Sequence, residues 1–483
     1  MRKACLVFSV LFLVGPFASA KNAEPVDCTH LMAWLAGNAP NQVLIQTVKT
    51  RGVNLAWTSS LKQELLTAGA SEDLLTLLQQ ANGKSSHPSA CSAELVKAAA
   101  QSRKKQFEAA SDIVNTMLEN DPHNGALHFA LGYFDQQQGL WDDAFDQYSD
   151  SKDAEPDFSA VHDRLALVFY QGDDGDNAIG EARTALSMNF DDAEAYRMLA
   201  LGHYANQQYE AALNAFREAL TRDPNNADSY YEMGLVARDQ GSASQAVQYL
   251  RKSLQLNPNR WQAHSSLGQV LGQRKLFDEA ISELNKAKNL VPNEPSVRES
   301  LANVYFGKGD YDKSIAEYHE LFRLSPTWRH GHDSLARAYL AKSEYAPAIA
   351  EMKLAIEQDP ANAGEHRALG QLLLAADQQA DAVRELRAAV ELDPASAASH
   401  YSLGTGLLET DQLPAALAEF QEAVRLEPSA EHHYALAACL MNLGRDREAL
   451  AEIQIATRLD PEKRLYHARE EELIRLMRAG TTQ

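Results

Sequence analysis

Residues 359–394 read DPANAGEHRALGQLLLAADQQADAVRELRAAVELDP, and residues 393–428 read DPASAASHYSLGTGLLETDQLPAALAEFQEAVRLEP. Laid over one another, both begin with an acid-proline pair. Each places a small residue ten positions after the proline, behind a leucine: Leu369-Gly370 and Leu403-Gly404. A second small residue follows twelve positions later, at Ala382 and Ala416. The same register recurs along the chain. Prolines fall every 34 residues at Pro88, Pro122, Pro156, Pro224, Pro258, Pro292, Pro326, Pro360, Pro394 and Pro428, with Phe190 in the place of one and Pro461 following after 33. The first small position reads Ala98, Gly132, Ala166, Ala200, Gly234, Gly268, Ala302, Ala336, Gly370, Gly404 and Ala438. Periodicity of this length is sought before local structure because it decides the whole fold.

The pattern predicts two helices per repeat joined by a tight turn. Small residues let the paired helices approach closely, and the large residues beside them fill the interface. Turn signals sit between the helices at Gly139-Leu140-Trp141, Gly309-Asp310-Tyr311 and Gly444-Arg445. Proline ends the second helix, since it has no N–H to donate and clashes with the preceding turn. In the eleventh repeat the second small residue, Ala449, arrives one position early, which places a one-residue deletion between Ala438 and Gly444. These marks resemble the tetratricopeptide repeat family over residues 91–463, about three quarters of the chain, in eleven units. The resemblance implies an all-α, right-handed α-solenoid of helix-turn-helix repeats. Residues 464–483 read as the charged capping helix and tail that such arrays require.

The start of the chain reads differently. Arg2 and Lys3 precede an apolar run from Ala4 to Val14, a Gly15-Pro16 break and the small-residue pattern Ala18-Ser19-Ala20. That order predicts a signal peptide over residues 1–20, cleaved near Ala20, and a periplasmic or secreted protein. The run is too short to span a bilayer, so no membrane insertion is expected after cleavage. Residues 21–82 fall outside the 34-residue register and read as a small module of about four helices. Gly37, Gly52 and Gly69 look like C-caps, with Ser60 (paired with Gln63) and Ser71 as N-caps. Trp34, Trp57 and a leucine set supply its core, and residues 83–90 read as a linker. Cys28 and Cys91 flank the module, and an oxidising compartment would allow them to pair; the alternative is three unrelated thiols, counting Cys439.

Composition excludes more than it assigns. The net charge of −21 argues against nucleic acid and anionic lipid as partners. Phosphate-loop, nucleophile-elbow, His-Glu-x-x-His and Cys-x-x-Cys signatures are all missing, so neither an enzyme nor a cofactor is expected. Histidines recur six positions after the proline site at His128, His162, His264, His332, His366, His400 and His467, with Tyr196, Tyr230 and Tyr434 in three further repeats. Metal ligands must share one ion at about 2 Å, whereas equivalent positions of stacked repeats stand about 8–10 Å apart. The register is therefore read as packing between helices, and no metal is expected.

What remains is the groove. The resemblance implies that the first helix of each repeat lines a concave side where peptides bind. Stepping four and three residues along that helix keeps one face, and picks out Phe129, Tyr133, Tyr170, Arg197, Tyr204, Tyr231 and Arg238 as candidate partner-binding residues. Aromatic and arginine side chains are the commonest interface anchors. The clamp that some relatives use for acidic C-termini is not supported, because Glu299 stands where a lysine is needed. The function expected is an exported scaffold binding a protein or peptide. An adaptor role in a cell-envelope assembly (polysaccharide export, outer-membrane or pilus biogenesis) is the alternative, and carbohydrate binding or catalysis a weaker one. The sequence indicates no oligomeric state.

Overall fold

The computed structural model describes residues 24–81, 90–329 and 331–480. The expected signal peptide and residues 83–89 of the expected linker lie outside these. Among the described residues the secondary structure is helical, apart from one isolated parallel bridge between Val26 and Val53. No described helix is long and apolar enough to cross a membrane. The chain divides into two compact units, Met1–Pro258 and Asn259–Gln483.

The first unit opens with four short helices: α1 (Cys28–Ala36), α2 (Asn41–Arg51), α3 (Ser59–Ala68) and α4 (Glu72–Ala81). Five helix pairs follow. They are α5 (Ala93–Arg103) with α6 (Phe107–Leu118), α7 (Gly125–Gln138) with α8 (Trp141–Ala154), and α9 (Ser159–Gln171) with α10 (Gly175–Met188). The last two are α11 (Ala193–Ala205) with α12 (Tyr209–Arg222) and α13 (Ala227–Asp239) with α14 (Ala243–Leu256). The second unit holds six pairs. Three are α15 (Trp261–Gln273) with α16 (Phe277–Leu290), α17 (Pro295–Lys308) with α18 (Tyr311–Leu324), and α19 (His332–Ala341) with α20 (Tyr345–Gln358). Then come α21 (Ala363–Ala375) with α22 (Gln379–Leu392), α23 (Ala397–Glu409) with α24 (Leu413–Leu426), and α25 (Ala430–Asn442) with α26 (Asp446–Leu459). The terminal α27 (Arg464–Gly480) buries Tyr466 and Leu473, and Met477 packs against the same core.

Each pair is built the same way. Most first helices start on polar caps, α9, α15 and α19 excepted; Asn124 accepts from Leu127 N–H, Asn226 from Ser229 N–H and Ser396 from Ser399 N–H. The turn to the second helix needs one residue at positive φ. Lys105, Gly139, Asp173, Gln207, Gly241, Lys275, Gly309, Ser343, Asp377, Asp411 and Gly444 supply it, at φ between 57° and 88°. The next residue then donates its N–H back across the turn, as Gln106 does to Gln101 O (3.0 Å) and Ser242 to Ala237 O (2.7 Å), the closing bond of a Schellman motif. Where the two helices cross, a small residue meets a large one. A Cβ on Gly370 would lie 2.5 Å from Leu386 Cγ, and one on Gly404 would lie 2.8 Å from the Phe420 ring.

Two readings of the sequence need correction. The deletion in the eleventh repeat is not between Ala438 and Gly444. Ser429 caps α25 directly after Pro428, whereas Asn362 and Ser396 each stand two positions after their prolines. The missing residue is therefore in the inter-repeat loop, Ala437 rather than Ala438 takes the buried small position, and His433 rather than Tyr434 takes the packing position. In the N-terminal module, α3 is capped by Thr58, whose side chain accepts from Leu61 N–H, and not by Ser60. Gly37, Gly52 and Gly69 stand at the C-caps, and Ser71 Oγ accepts from Leu74 N–H.

The module does not stand apart from the repeats. Helix α1 packs against α5 and α7, and α3 against α5. Trp34 stacks on Phe158 with ring centroids 4.3 Å apart, and Phe129 meets Phe158 edge-on at 5.2 Å. Gly37 lies so close that a Cβ there would sit 2.7 Å from Phe129 Cδ1. Polar bonds rim this core: Ser102 Oγ donates to Ala36 O, Arg103 Nε to Ala68 O and Arg164 Nη2 to Asn38 O. Arg51 reaches Glu155 at 2.8 Å and also pairs with Asp157. Cys28 and Cys91 are joined as a disulfide across a separation of 63 residues, with Cα atoms 5.1 Å apart. About 55 residues bury too little surface for much independent stability, so docking on the repeats completes the module's core.

Two measurements probe this construction. Replacing a non-glycine turn residue by glycine, as in Lys275→Gly or Gln207→Gly, removes left-handed backbone strain and is expected to raise stability by about 0.5–1 kcal/mol in denaturant titrations. A loss of stability would mean that these side chains hold the turn. The Cys28→Ser/Cys91→Ser variant is expected to lose about 2–4 kcal/mol, with the module cleaved by protease before the repeats; equal cleavage of both variants would show that the apolar docking suffices.

Candidate functional site

The residues that could meet a partner lie on the first helices, at positions that the close-packed seam leaves free. Asp163, Arg197 and Tyr231 are 34 residues apart and share one register position of α9, α11 and α13; Tyr170, Tyr204 and Arg238 share another. Helices α9, α11 and α13 lie side by side in that order.

Of the candidates picked from the sequence, Phe129 is a correction. It is 0% exposed, because the N-terminal module covers the first-helix face of the second repeat and Phe129 is part of that joint core. Tyr133 is half-buried, edge-on to Phe107 at 5.9 Å and beneath the Arg164 guanidinium at 5.3 Å. The other five fall together on repeats three to five, and all are half-buried. Arg197 is the centre of that group. It makes a two-pronged bond to Glu194 (2.9 and 2.6 Å) and a third to Glu232 Oε1 at 2.6 Å. Arg238 bonds Asp239 at 2.7 Å, and Tyr204 donates its hydroxyl to the same carboxylate.

Charge is unevenly satisfied in this group. Burial works against the Arg197 charge, but Glu194 and Glu232 overcome it and hold its pKa above the usual arginine value. Burial also opposes ionisation of Glu194, yet Arg197 and Arg164 hold its pKa below the ordinary glutamate value. Glu232 ends the other way: burial pushes it up to about 7 despite Arg197. Asp163 is pushed well above the carboxylate range by burial, with Asp192 and Glu194 adding to the effect. Burial, with Glu232 nearby, pushes the Tyr170 hydroxyl to about 12. Arg197 was legible as a groove residue; Glu194 lies three residues before it on the same helix, whereas Glu232 comes from the next repeat at a register position that spacing did not point to.

The histidine register has a partner that spacing alone did not reveal. Nδ1 of His162, His264, His332, His366, His400 and His433 lies 2.5–2.8 Å from a glutamate oxygen nineteen residues on, namely Glu181, Glu283, Glu351, Glu385, Glu419 and Glu452. His128 reaches Gln147 the same way, and Arg298 replaces histidine opposite Glu317. In His128, His162, His366 and His400 the other ring nitrogen faces the carbonyl of the preceding repeat's proline. Both nitrogens of these four rings are engaged: Nδ1 ties the two helices of the repeat together, and Nε2 holds the loop that leads into it. Among the described residues no group of three or more His, Cys, Asp or Glu is placed to hold a metal ion.

Family comparisons fit this architecture. Tetratricopeptide-repeat models match residues 231–295, 300–363, 367–424 and 401–463; a TPR-repeat model matches 203–241, and one described as YpiA-like tetratricopeptide repeats matches 269–324. The chain belongs to the tetratricopeptide-repeat family. Among solved structures, this tetratricopeptide-repeat chain is similar to MamA from Desulfovibrio magneticus RS-1, at 23% identity over 35% of this chain and 96% of that one, with a TM-score of 0.34. It is also similar to pilF of Pseudomonas aeruginosa (22% identity, 42% and 93% of the two chains, TM-score 0.37) and to yeast Tom70 (15%, 80% and 94%, TM-score 0.38). No curated protein sequence matches it. Tetratricopeptide repeats are in general non-catalytic scaffolds for protein–protein interaction.

The raised pKa of Glu232 has a thermodynamic consequence. Between its ordinary value and about 7 the folded state keeps a proton that the unfolded chain has released, so stability falls as pH rises through that window. Glu232→Gln removes this contribution while keeping an acceptor for Arg197. Its melting temperature is expected to match the parent near pH 4.5 and to exceed it at pH 8, by a free energy on the order of 1–3 kcal/mol. A variant less stable than the parent at pH 8 would show that the ionised pair with Arg197 dominates.

Proposed function

We propose that the chain is an exported scaffold that binds a protein or peptide partner on the first-helix face of repeats three to five. The observation that carries this reading is the grouping of Tyr170, Arg197, Tyr204, Tyr231 and Arg238 on three adjacent first helices, where the face of the second repeat is already covered by the N-terminal module. The aromatic rings supply contact area at low conformational cost, and the ion pairs hold them in place before a partner arrives. The order of charged, apolar and small residues over 2–20 supports export, as does a disulfide, which persists in an oxidising compartment.

The test is capture from a cell-envelope extract followed by titration of the captured protein. Tyr204→Ala/Tyr231→Ala/Arg238→Ala, with an unchanged circular dichroism spectrum, is expected to weaken binding tenfold or more. Equal binding by parent and variant would move the partner to another surface. Fractionation of the source cells tests export separately: a chain starting near Lys21 in the periplasm or medium is expected, and a cytoplasmic chain retaining residues 1–20 would sink that part.

A further inference from the structure

The carboxylates of repeats three to five outnumber the cations that serve them. Asp163, Asp192, Glu194 and Glu232 are grouped there with Arg164 and Arg197. Arg197 spends Nε and both Nη atoms on Glu194 and Glu232, and Arg164 donates to the Asn38 carbonyl. Asp163 is 4% exposed, and neither of its carboxylate oxygens has a hydrogen-bond partner; Glu232 Oε2 is likewise buried without one. Buried carboxyl groups left in this state cost free energy, whether they stay neutral or ionise. Asp192 Oδ2 is also buried without a hydrogen-bond partner, and such an oxygen suits a cationic donor.

Beside this cluster lies a cleft of about 840 Å³ between the module and the repeats. Pro40, Gln46 and Lys49 line one wall and Phe190 the other, where Asp191, Asp192, Glu194 and Asp223 outnumber the single cation Arg222, itself paired with Asp191. Phe190 is the residue that interrupts the proline register, and it is 77% exposed. Proline in this position ends a helix; phenylalanine does not have that function, and it places an apolar ring in solvent at the mouth of an acidic cleft. A binding pocket is concave and combines apolar wall with a few placed charges, and this cleft has both.

We propose that the cleft takes a basic segment of the partner, with a Lys or Arg side chain directed to the Asp192 and Glu194 wall and an adjacent apolar residue set against Phe190. Asp192 is 6% exposed and its Oδ2 has no hydrogen-bond partner, so a cation reaching that wall meets an unsatisfied carboxylate oxygen. The excess of acidic residues in the whole chain steers such a segment inward. This proposal rests on the partner-face reading above and specifies its chemistry.

The probe is a random twelve-residue peptide library panned against the disulfide-bonded chain from residue 21 onward, with selected peptides labelled for fluorescence polarisation. Enriched peptides are expected to carry Lys or Arg next to an aromatic or aliphatic residue. Their affinity is expected to fall at least tenfold for Asp192→Asn, which keeps an N-cap acceptor for α11, and severalfold for Phe190→Ser, which changes an exposed side chain and leaves the core intact. Enrichment of acidic or uncharged peptides overturns the proposal, as does unchanged binding to both variants. Peptides that lose affinity for the Tyr204→Ala/Tyr231→Ala/Arg238→Ala chain but not for these two variants sink the basic-segment proposal alone. Peptides insensitive to all three, or no enrichment, sink the partner-face reading with it.

Discussion

Everything in this chain depends on how closely two helices cross within one repeat. At the crossing, the first helix offers glycine or alanine and the second offers a large side chain, as at Gly268 against Leu284, where an added Cβ would stand 2.5 Å from Leu284 Cγ. A turn residue at positive φ makes that approach possible by reversing the chain within a few residues. Seven of the eleven turns hold it with Lys, Asp, Gln or Ser rather than glycine, so tertiary packing overrides the local preference there. The histidine–glutamate bonds then pin the far ends of the same pairs. Because the seam uses a fixed set of register positions, the remaining first-helix positions are free to carry chemistry that differs from repeat to repeat.

The first unit shows what that freedom permits. In the second repeat the free positions became apolar, Phe129 among them, and a short helical module docks there through Trp34, Gly37 and the Cys28–Cys91 bond. In repeats three to five the same positions hold Asp163, Arg197 and Tyr231, and the helices carry an ion-pair network. One face thus changes from an internal core to a polar surface within a few helical turns. The module marks the boundary, since Asn38 accepts from Arg164 just where the carboxylate cluster begins.

How much of this was legible follows from whether a signal is periodic. Positions that every repeat must fill, such as Gly370, Ala382 and Pro394, stand out because their spacing is imposed by the crossing and the turn. The glutamates opposite the histidines are also periodic, but solvent-facing acids recur at many positions, so Glu181 or Glu419 carried no distinguishing mark. The eleventh repeat was misjudged because adjacent His432 and His433 and adjacent Ala437 and Ala438 fit the register equally well; only the cap at Ser429 separates them. Phe129 was misplaced for a different reason. Its burial comes from α1, about a hundred residues earlier, and no pattern inside the repeat records a contact made from outside it. The same holds for the bond of Arg197 to Glu232, which comes from the next repeat at a register position that does not align.

A repeat array tolerates few unsatisfied buried charges, since stability is shared among neighbouring units and a weak unit weakens both sides. Neutral residues of similar shape in place of Asp163 and Glu232 would remove that cost. Nothing in the packing requires a carboxyl group at Asp163: equivalent inner positions elsewhere carry Ser265, Tyr401 or Phe129 without disturbing the helix crossing. Asp163 therefore serves something other than the fold. Exchange of a helix-ending proline for an exposed Phe190, on the cleft wall with Asp192, is a second departure from the repeat's own rules in the same repeats. Departures from otherwise consistent local rules gather at functional sites, where stability is given up for binding. That coincidence, rather than any single residue, distinguishes repeats three to five from the rest of the first unit.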